Sequence, residues 1–155
     1  KGTITAGTAS PLTDGAAATL ICNEGYANKN NLNILAKIVS TAVHGCPPEL
    51  MGLGPIGATK KALARANLSI NDIDIVELNE AFASQSLACM QDLNIDPLKV
   101  NIDGGAIALG HPLGATGARI TAKAAQLLRR ENKQFALVTQ CIGLGQGIAT
   151  ILESY

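Results

Sequence analysis

Three residues in this chain combine a reactive side chain with surroundings that could put it to use. His111 lies in Gly104-Gly105-Ala106-Ile107-Ala108-Leu109-Gly110-His111-Pro112-Leu113-Gly114-Ala115-Thr116-Gly117, a stretch with five glycines. Glycines let a backbone turn tightly and approach a ligand closely. Pro112 biases the histidine before it away from helix. A helix following the loop points its N-terminus at it, which favours anionic groups and neutral over charged imidazole. A neutral histidine can act as a base, whereas a merely solvated loop histidine needs no such glycine setting. Cys141 opens Cys141-Ile142-Gly143-Leu144-Gly145-Gln146-Gly147. There a thiol at a strand end meets a turn whose backbone N–H groups can face a ligand oxygen. The thiol can move a proton or act as a nucleophile, although a free Cys is more often a small buried hydrophobe. Asn79 heads Asn79-Glu80-Ala81-Phe82, and its plainest reading is a helix N-cap.

The elements that must position these residues follow from pattern. A helix is expected from Ala16 to about Tyr26, capped by Thr13 or Asp14, and a strand over 35–43 broken by Gly45 to Pro48. Pro55 opens a helix ended by Asn67; residues 73–78 read as a strand, and Glu80 to Leu93 as a helix with Ala81, Leu87, Ala88 and Met90 apolar. A strand over 100–103, a helix over 115–130, and strands over 135–139 and 148–152 complete the chain. The five-residue link Gly143–Gly147 fits only an antiparallel pair. The order β-α-β-α-β-α-β-β predicts an α/β domain with a mixed, mostly parallel sheet covered by helices. Parallel strands would bring Asn79, His111 and Cys141 to one sheet edge, where ligands of open α/β sheets gather.

Composition removes several functions. Twelve basic and twelve acidic residues leave no net charge, against nucleic-acid or membrane-surface binding. Aromatics at 3 % and no Trp argue against base-stacking surfaces. No apolar run reaches transmembrane length. Charged residues at 15 % are few for a soluble domain, so another domain or subunit is expected to cover part of the surface. The chain opens without Met, which points to a piece of a longer protein, and it does not end in a Ser-Lys-Leu signal. Cysteines 22, 46, 89 and 141 show no metal spacing and read as reduced thiols of a cytoplasmic protein, with all but Cys141 as core filler. His44 has no partner at informative spacing and reads as structural. The glycines match neither a Walker A loop nor the dinucleotide fingerprint.

Taken together, the motifs resemble the C-terminal part of a thiolase. They are Thr5-Ala6-Gly7 through Ser10, Asp14-Gly15-Ala16-Ala17-Ala18, Met51-Gly52-Leu53-Gly54-Pro55, Asn79-Glu80-Ala81-Phe82-Ala83 and the His111 and Cys141 stretches, all in family order. One departure is Thr8, where the family usually has Asn. The resemblance implies a thiolase-like fold, a βαβαβαββ half that in the full enzyme joins a similar half in a five-layer αβαβα sandwich. Residues 1–34 would be the last strand and helix of the first half, and 35–155 the C-terminal domain.

The resemblance also implies acyl transfer to coenzyme A by reversible Claisen cleavage of a 3-ketoacyl-CoA. His111 would activate a nucleophilic cysteine that belongs to the N-terminal part, and Cys141 would exchange protons with the acetyl-CoA carbanion. His111 together with a water positioned by Asn79 would hold the enolate oxygen, and the N–H of Gly143 would help hold the tetrahedral oxyanion. Ala6, Ser10, Met51, Ala81 and Phe82 would line the pantetheine and acyl channel. Coenzyme A and acyl-CoA are then substrates, with no metal and no permanently bound cofactor. The implied partners are the N-terminal thiolase part and further copies, as a homodimer or homotetramer. The Gly-Leu-Gly-Gln-Gly ending leans toward degradative 3-ketoacyl-CoA thiolases of fatty acid β-oxidation. A non-catalytic acyl-CoA or lipid-binding module of the same fold is the alternative, and the intact His111, Cys141 and Asn79 weigh against it. The Cys141 motif weighs against a decarboxylating condensing enzyme.

Overall fold

The computed structural model describes residues 2–155. Strands β1 (Ala36–Gly45), β2 (Ile75–Leu78), β3 (Phe135–Ile142) and β4 (Gln146–Ser154) form one sheet in the order β1-β4-β3-β2. β3 and β4 make the expected antiparallel hairpin, and β1 adds antiparallel to the outer side of β4. Only β2 runs parallel to its neighbour, with Ile75 opposite Ala136 and Leu78 opposite Thr139.

The sheet is therefore mixed as expected, but its pairings are mostly antiparallel, which corrects the mostly parallel expectation. Part of the reason lies at residues 100–103, expected as a strand. Val100 makes a single parallel bridge to Val76, and Asn101 then turns at φ 47°. The Asn101 side chain continues the ladder instead: Leu78 N–H donates to Oδ1 at 3.0 Å, and Nδ2 donates to Leu78 O at 2.8 Å.

Helices cover both faces. α2 (Gly54–Ala66) and α3 (Ala83–Leu93) pack on one side, around Ala58, Ala62, Val76, Leu137 and Ile151. α5 (Leu113–Arg130) covers the other with Ile120, Ala124, Leu127 and Leu128, spaced along one helical stripe against Ile75, Ala136 and Val138. α2 and α3 end on Asn67 and Asn94 at φ 56° and 53°, a left-handed stop that Asn tolerates. Two short helices remain, α1 (Glu24–Lys29) and α4 (Ala106–Leu109).

Several sequence expectations are corrected. Residues 16–22 form neither helix nor strand, make no backbone–backbone hydrogen bond among the described residues, and are exposed. A short helix needs an apolar face buried against a neighbour, and this segment has none. α1 starts only at Glu24, where Asn23 Oδ1 accepts from Tyr26 N–H at 2.7 Å. Cys22 is accordingly exposed and is not core. Gly45 closes β1 where a break was expected. α3 begins at Ala83, three residues later than expected, because Phe82 is still extended and bridges Ala9. Its buried face is Gln85, Ser86, Cys89 and Leu93, while Leu87 is 61 % exposed.

Candidate functional site

Asn79 is the residue just past β2, and it is not a helix cap. Its N–H extends the parallel ladder by donating to Thr139 O at 3.0 Å. The side chain is 1 % exposed, with Nδ2 3.4 Å from His111 Nε2 and Oδ1 without a partner among the described residues.

His111 reaches Asn79 because its loop is tied down along its length. Glu80 accepts from Asn101 Nδ2 at 2.9 Å and from Ile107 N–H at 3.0 Å. The carboxylate thus receives an orphan N–H in the first turn of α4, as an N-cap side chain would. Gly105 has no Cβ because the Glu80 carboxylate occupies that space. Asp103 is clasped from α5 by Lys123 and Arg130. At Gly110, φ 99° turns the chain out of α4.

The histidine is then held from three sides. Its N–H donates to Thr13 Oγ1 at 3.1 Å, Nδ1 lies 2.7 Å from Thr116 Oγ1, and Nε2 faces Asn79. Burial, with a smaller push from the Arg119 charge, lowers its pKa from 6.5. The ring is therefore neutral at pH 7 and able to accept a proton.

Cys141 is placed by sheet register. It pairs with Gly147 on β4, and strand alternation puts its side chain on the Leu137 face, under α2 and α3. A Cβ on Gly147 would collide with the Gly54 backbone, so the start of α2 lies directly against the hairpin. The turn passes through Leu144 and Gly145 at φ 67° and 85°, and Gly145 O accepts from Cys46 N–H at 2.8 Å. Burial raises the Cys141 thiol above its ordinary 9.0, so it is a protonated acid at neutral pH. Among the described residues no hydrogen bond joins Cys141 to Asn79 or His111. Gly143 is exposed at the turn.

The remaining predicted residues divide. Ser10 N–H donates to Ala81 O at 3.1 Å beside the Ala9–Phe82 bridge, so Ser10, Ala81 and Phe82 come together at the foot of α3. Met51 lies in a 3-10 turn (Pro48–Leu53) held to α3 by Cys89 Sγ donating to Gly52 O at 3.3 Å. Ala6 sits exposed in a separate 3-10 turn, Ala6–Thr8. Cys89 is fully buried, its thiol pushed up to about 11 mainly by desolvation, as suits an inert core residue. His44 packs its ring on Gly57, in keeping with a structural role. Among the described residues no three His, Cys, Asp or Glu side chains gather as metal ligands.

Glu80, Asn101 and Thr116 were not singled out from the sequence, and Thr13 only as a helix cap. Their signal was faint. Glu80 adjoins Asn79, and Thr116 lies in the first turn of the helix after His111, but nothing in a linear reading connects them. The buried Glu77 has no linear signal either: desolvation raises its carboxyl to about 7, with Oε1 on the α5 face unpartnered among the described residues.

With this geometry in place, comparison with known proteins is specific. The family model described as "Thiolase, C-terminal domain" matches residues 32–154. A 3-ketoacyl-CoA thiolase of Vibrio parahaemolyticus is 56 % identical over 156 residues, covering 99 % of this chain and 40 % of that protein. The crystal structure of human mitochondrial 3-ketoacyl-CoA thiolase in complex with CoA superposes with a TM-score of 0.92 at 48 % identity, over 99 % of this chain and 39 % of that one. Bacillus anthracis acetyl-CoA acetyltransferase gives 0.96 at 42 % identity, again over 99 % of this chain and 39 % of that one. The chain therefore spans about 40 % of the length of the curated relatives it matches. It belongs to the thiolase family, as a thiolase C-terminal domain.

Proposed function

We propose that this chain is the proton-handling part of a thiolase that transfers acyl groups to coenzyme A by reversible Claisen cleavage of 3-ketoacyl-CoA. The observation that carries the reading is His111 Nε2 lying 3.4 Å from the buried Asn79 amide, beyond the end of β2, while Cys141 is the penultimate residue of the neighbouring parallel strand β3. A cysteine thiol supplied from outside these 155 residues would give its proton to Nε2 and attack the 3-keto carbon. The acetyl-CoA enolate released by C–C cleavage would have its oxygen held by His111, with a water positioned by Asn79. Its carbon would take the proton of Cys141, whose raised pKa keeps that proton available. The Cys141 thiolate would then deprotonate incoming coenzyme A, and the CoA thiolate would take the acyl group from the nucleophilic cysteine. The Gly143 N–H would help hold the tetrahedral oxyanion, and loss of one such donor costs roughly 100- to 1,000-fold in kcat.

Ala6, Ser10, Met51, Ala81 and Phe82 are proposed to line the pantetheine and acyl channel. Residues 1–34 are proposed to belong to the N-terminal half, a division supported by the family match beginning at residue 32. The Gly-rich ending supports a degradative, β-oxidation role, the free cysteines a reducing cytoplasmic setting, and the exposed apolar side chains Leu12, Leu20 and Ile21 assembly with further chain or subunits.

The test is thiolysis of acetoacetyl-CoA. The full-length protein should turn it over, and these 155 residues alone should not. Replacing Cys141 with Ala in the full-length protein should abolish thiolysis while acyl-CoA still binds. An unchanged rate in that variant, or turnover by the 155 residues alone, would sink the reading.

A further inference from the structure

We propose that Thr116 is a positioning residue that sets the tautomer of His111, keeping the proton on Nδ1 so that Nε2 is the free base. The proposal deepens the reading of His111 given above, and it stands on the geometry of three consecutive polar contacts, Asn79 Nδ2 to Nε2, Nδ1 to Thr116 Oγ1, and Thr116 Oγ1 to Pro112 O.

Thr116 is in the first turn of α5 and is 0 % exposed. Its Oγ1 has two partners, Pro112 O at 3.0 Å and His111 Nδ1 at 2.7 Å. A hydroxyl has one hydrogen to give. The carbonyl can only accept, and although it also takes the Ala115 and Thr116 N–H groups at 2.9 Å each, the hydroxyl lies in donating geometry to it, the i−4 contact that Thr makes readily in a helix. Toward the ring, Oγ1 then presents a lone pair, and Nδ1 must bring the hydrogen. In a neutral imidazole this leaves Nε2 unprotonated, facing the Asn79 Nδ2 donor at 3.4 Å. The chain runs one way, from the Asn79 amide to Nε2, from Nδ1–H to Thr116, and from the Thr116 hydroxyl to Pro112 O. Reversing it would set Nε2–H against the Asn79 amide hydrogens. The main chain that carries the ring is fixed separately, by the His111 backbone N–H donating to Thr13 Oγ1 at 3.1 Å.

The consequence is a base that needs no rearrangement. When Nε2 takes a thiol proton, the S–H bond breaks, a thiolate and an imidazolium form, and Nδ1–H still donates to the same Thr116 lone pair. A buried hydroxyl that accepts in both protonation states fixes ring orientation as well as tautomer, which is how second partners of functional histidines act.

Imidazole 15N NMR on the full-length protein reads this directly, with the His111 signals identified by their loss in His111→Ala. Above the pKa of the ring, the wild type should show Nδ1 protonated and Nε2 bare, and Thr116→Ser should preserve that pattern with near-wild-type kcat. Thr116→Val removes the acceptor at nearly constant volume. It should give a mixture with the Nε2–H form and lower kcat at least roughly 10-fold, with KM little changed; a wrong tautomer in a serine protease triad costs about 10⁴. A protonated Nε2 in the wild type overturns the proposal, as does a Thr116→Val protein that keeps the wild-type spectrum and kcat. Should Thr116→Val not fold, the wild-type and Thr116→Ser spectra decide alone. The expected spectrum in a protein that performs no thiolysis would uphold the tautomer assignment while refuting the function proposed above.

Discussion

The two glycine-rich loops deliver their reactive residues by opposite means. His111 is held by side chains: Thr13, Thr116, Asn79 and, through the loop before it, Glu80 and Asn101, drawn from segments spread over about a hundred residues of sequence. Among the described residues Cys141 has no such partners. Its position follows from the register of β3 on β4 and from the close approach of α2, where Gly54 and Gly147 meet backbone to backbone. One loop is thus placed by directed polar contacts that specify a protonation state. The other is placed by backbone packing that specifies only a location, and burial alone keeps its thiol protonated. The difference would suit the roles proposed for the two residues, a base that must be oriented and an acid that need only be present.

The largest effect should come from breaking the packing side. Gly147→Ala drives a methyl into the Gly54 backbone, which cannot yield as a flexible side chain would, and should cost about 3 kcal/mol or more in denaturant unfolding. Gly143→Ala, in the same turn but with nothing within 4 Å of the new methyl, should stay within about 0.5 kcal/mol of wild type. Equal costs at the two positions would contradict placement of Cys141 by α2.

The buried Glu77 supplies the next effect, one that separates the polar side of the sheet from the apolar one by pH. Its carboxyl is raised from 4.5 to about 7, chiefly by desolvation. Between those values the unfolded chain loses this proton while the folded chain keeps it, so stability falls as pH rises through the window and levels off above about 7. At 1.36 kcal/mol per unit the total is about 3 kcal/mol. Glu77→Gln should flatten that part of the stability profile between pH 4.5 and 7.5, and an unaltered slope would show that Glu77 does not titrate in this way.

On the hydrogen-bonded side, Glu80→Ala strands the Ile107 N–H and removes one of the two acceptors of the Asn101 amide, at a cost of about 1–3 kcal/mol. Amide exchange at residues 104–111 should accelerate while the β3–β4 hairpin remains protected. The smallest effect is expected at Arg119. Its charge is the lesser of two causes lowering the His111 pKa, after burial. Arg119→Met should move the NMR titration of His111 upward yet leave it below 6.5, and a downward shift would contradict that assignment.

Much of this was legible in the chain itself. The α2 and α5 helices, the closing hairpin and the choice of His111, Cys141 and Asn79 follow from periodicity, caps, glycine spacing and family motifs, all of which are local signals. The failures share one cause. Residues 16–22 have an alanine-rich composition that reads as helix, but no apolar face is buried there to sustain one. Residues 100–103 resemble a strand, but the Asn101 side chain takes over the pairing after one bridge.

What the sequence determined by itself is therefore the inventory: which residue types stand at which turns, and which elements surround them. Tertiary structure alone decided how they are used. Thr116 and Glu80 matter because of what they touch across the fold, and the direction of a hydrogen bond depends on where its partner's only proton has gone. That information lies in distances between segments remote in sequence, which no local pattern encodes.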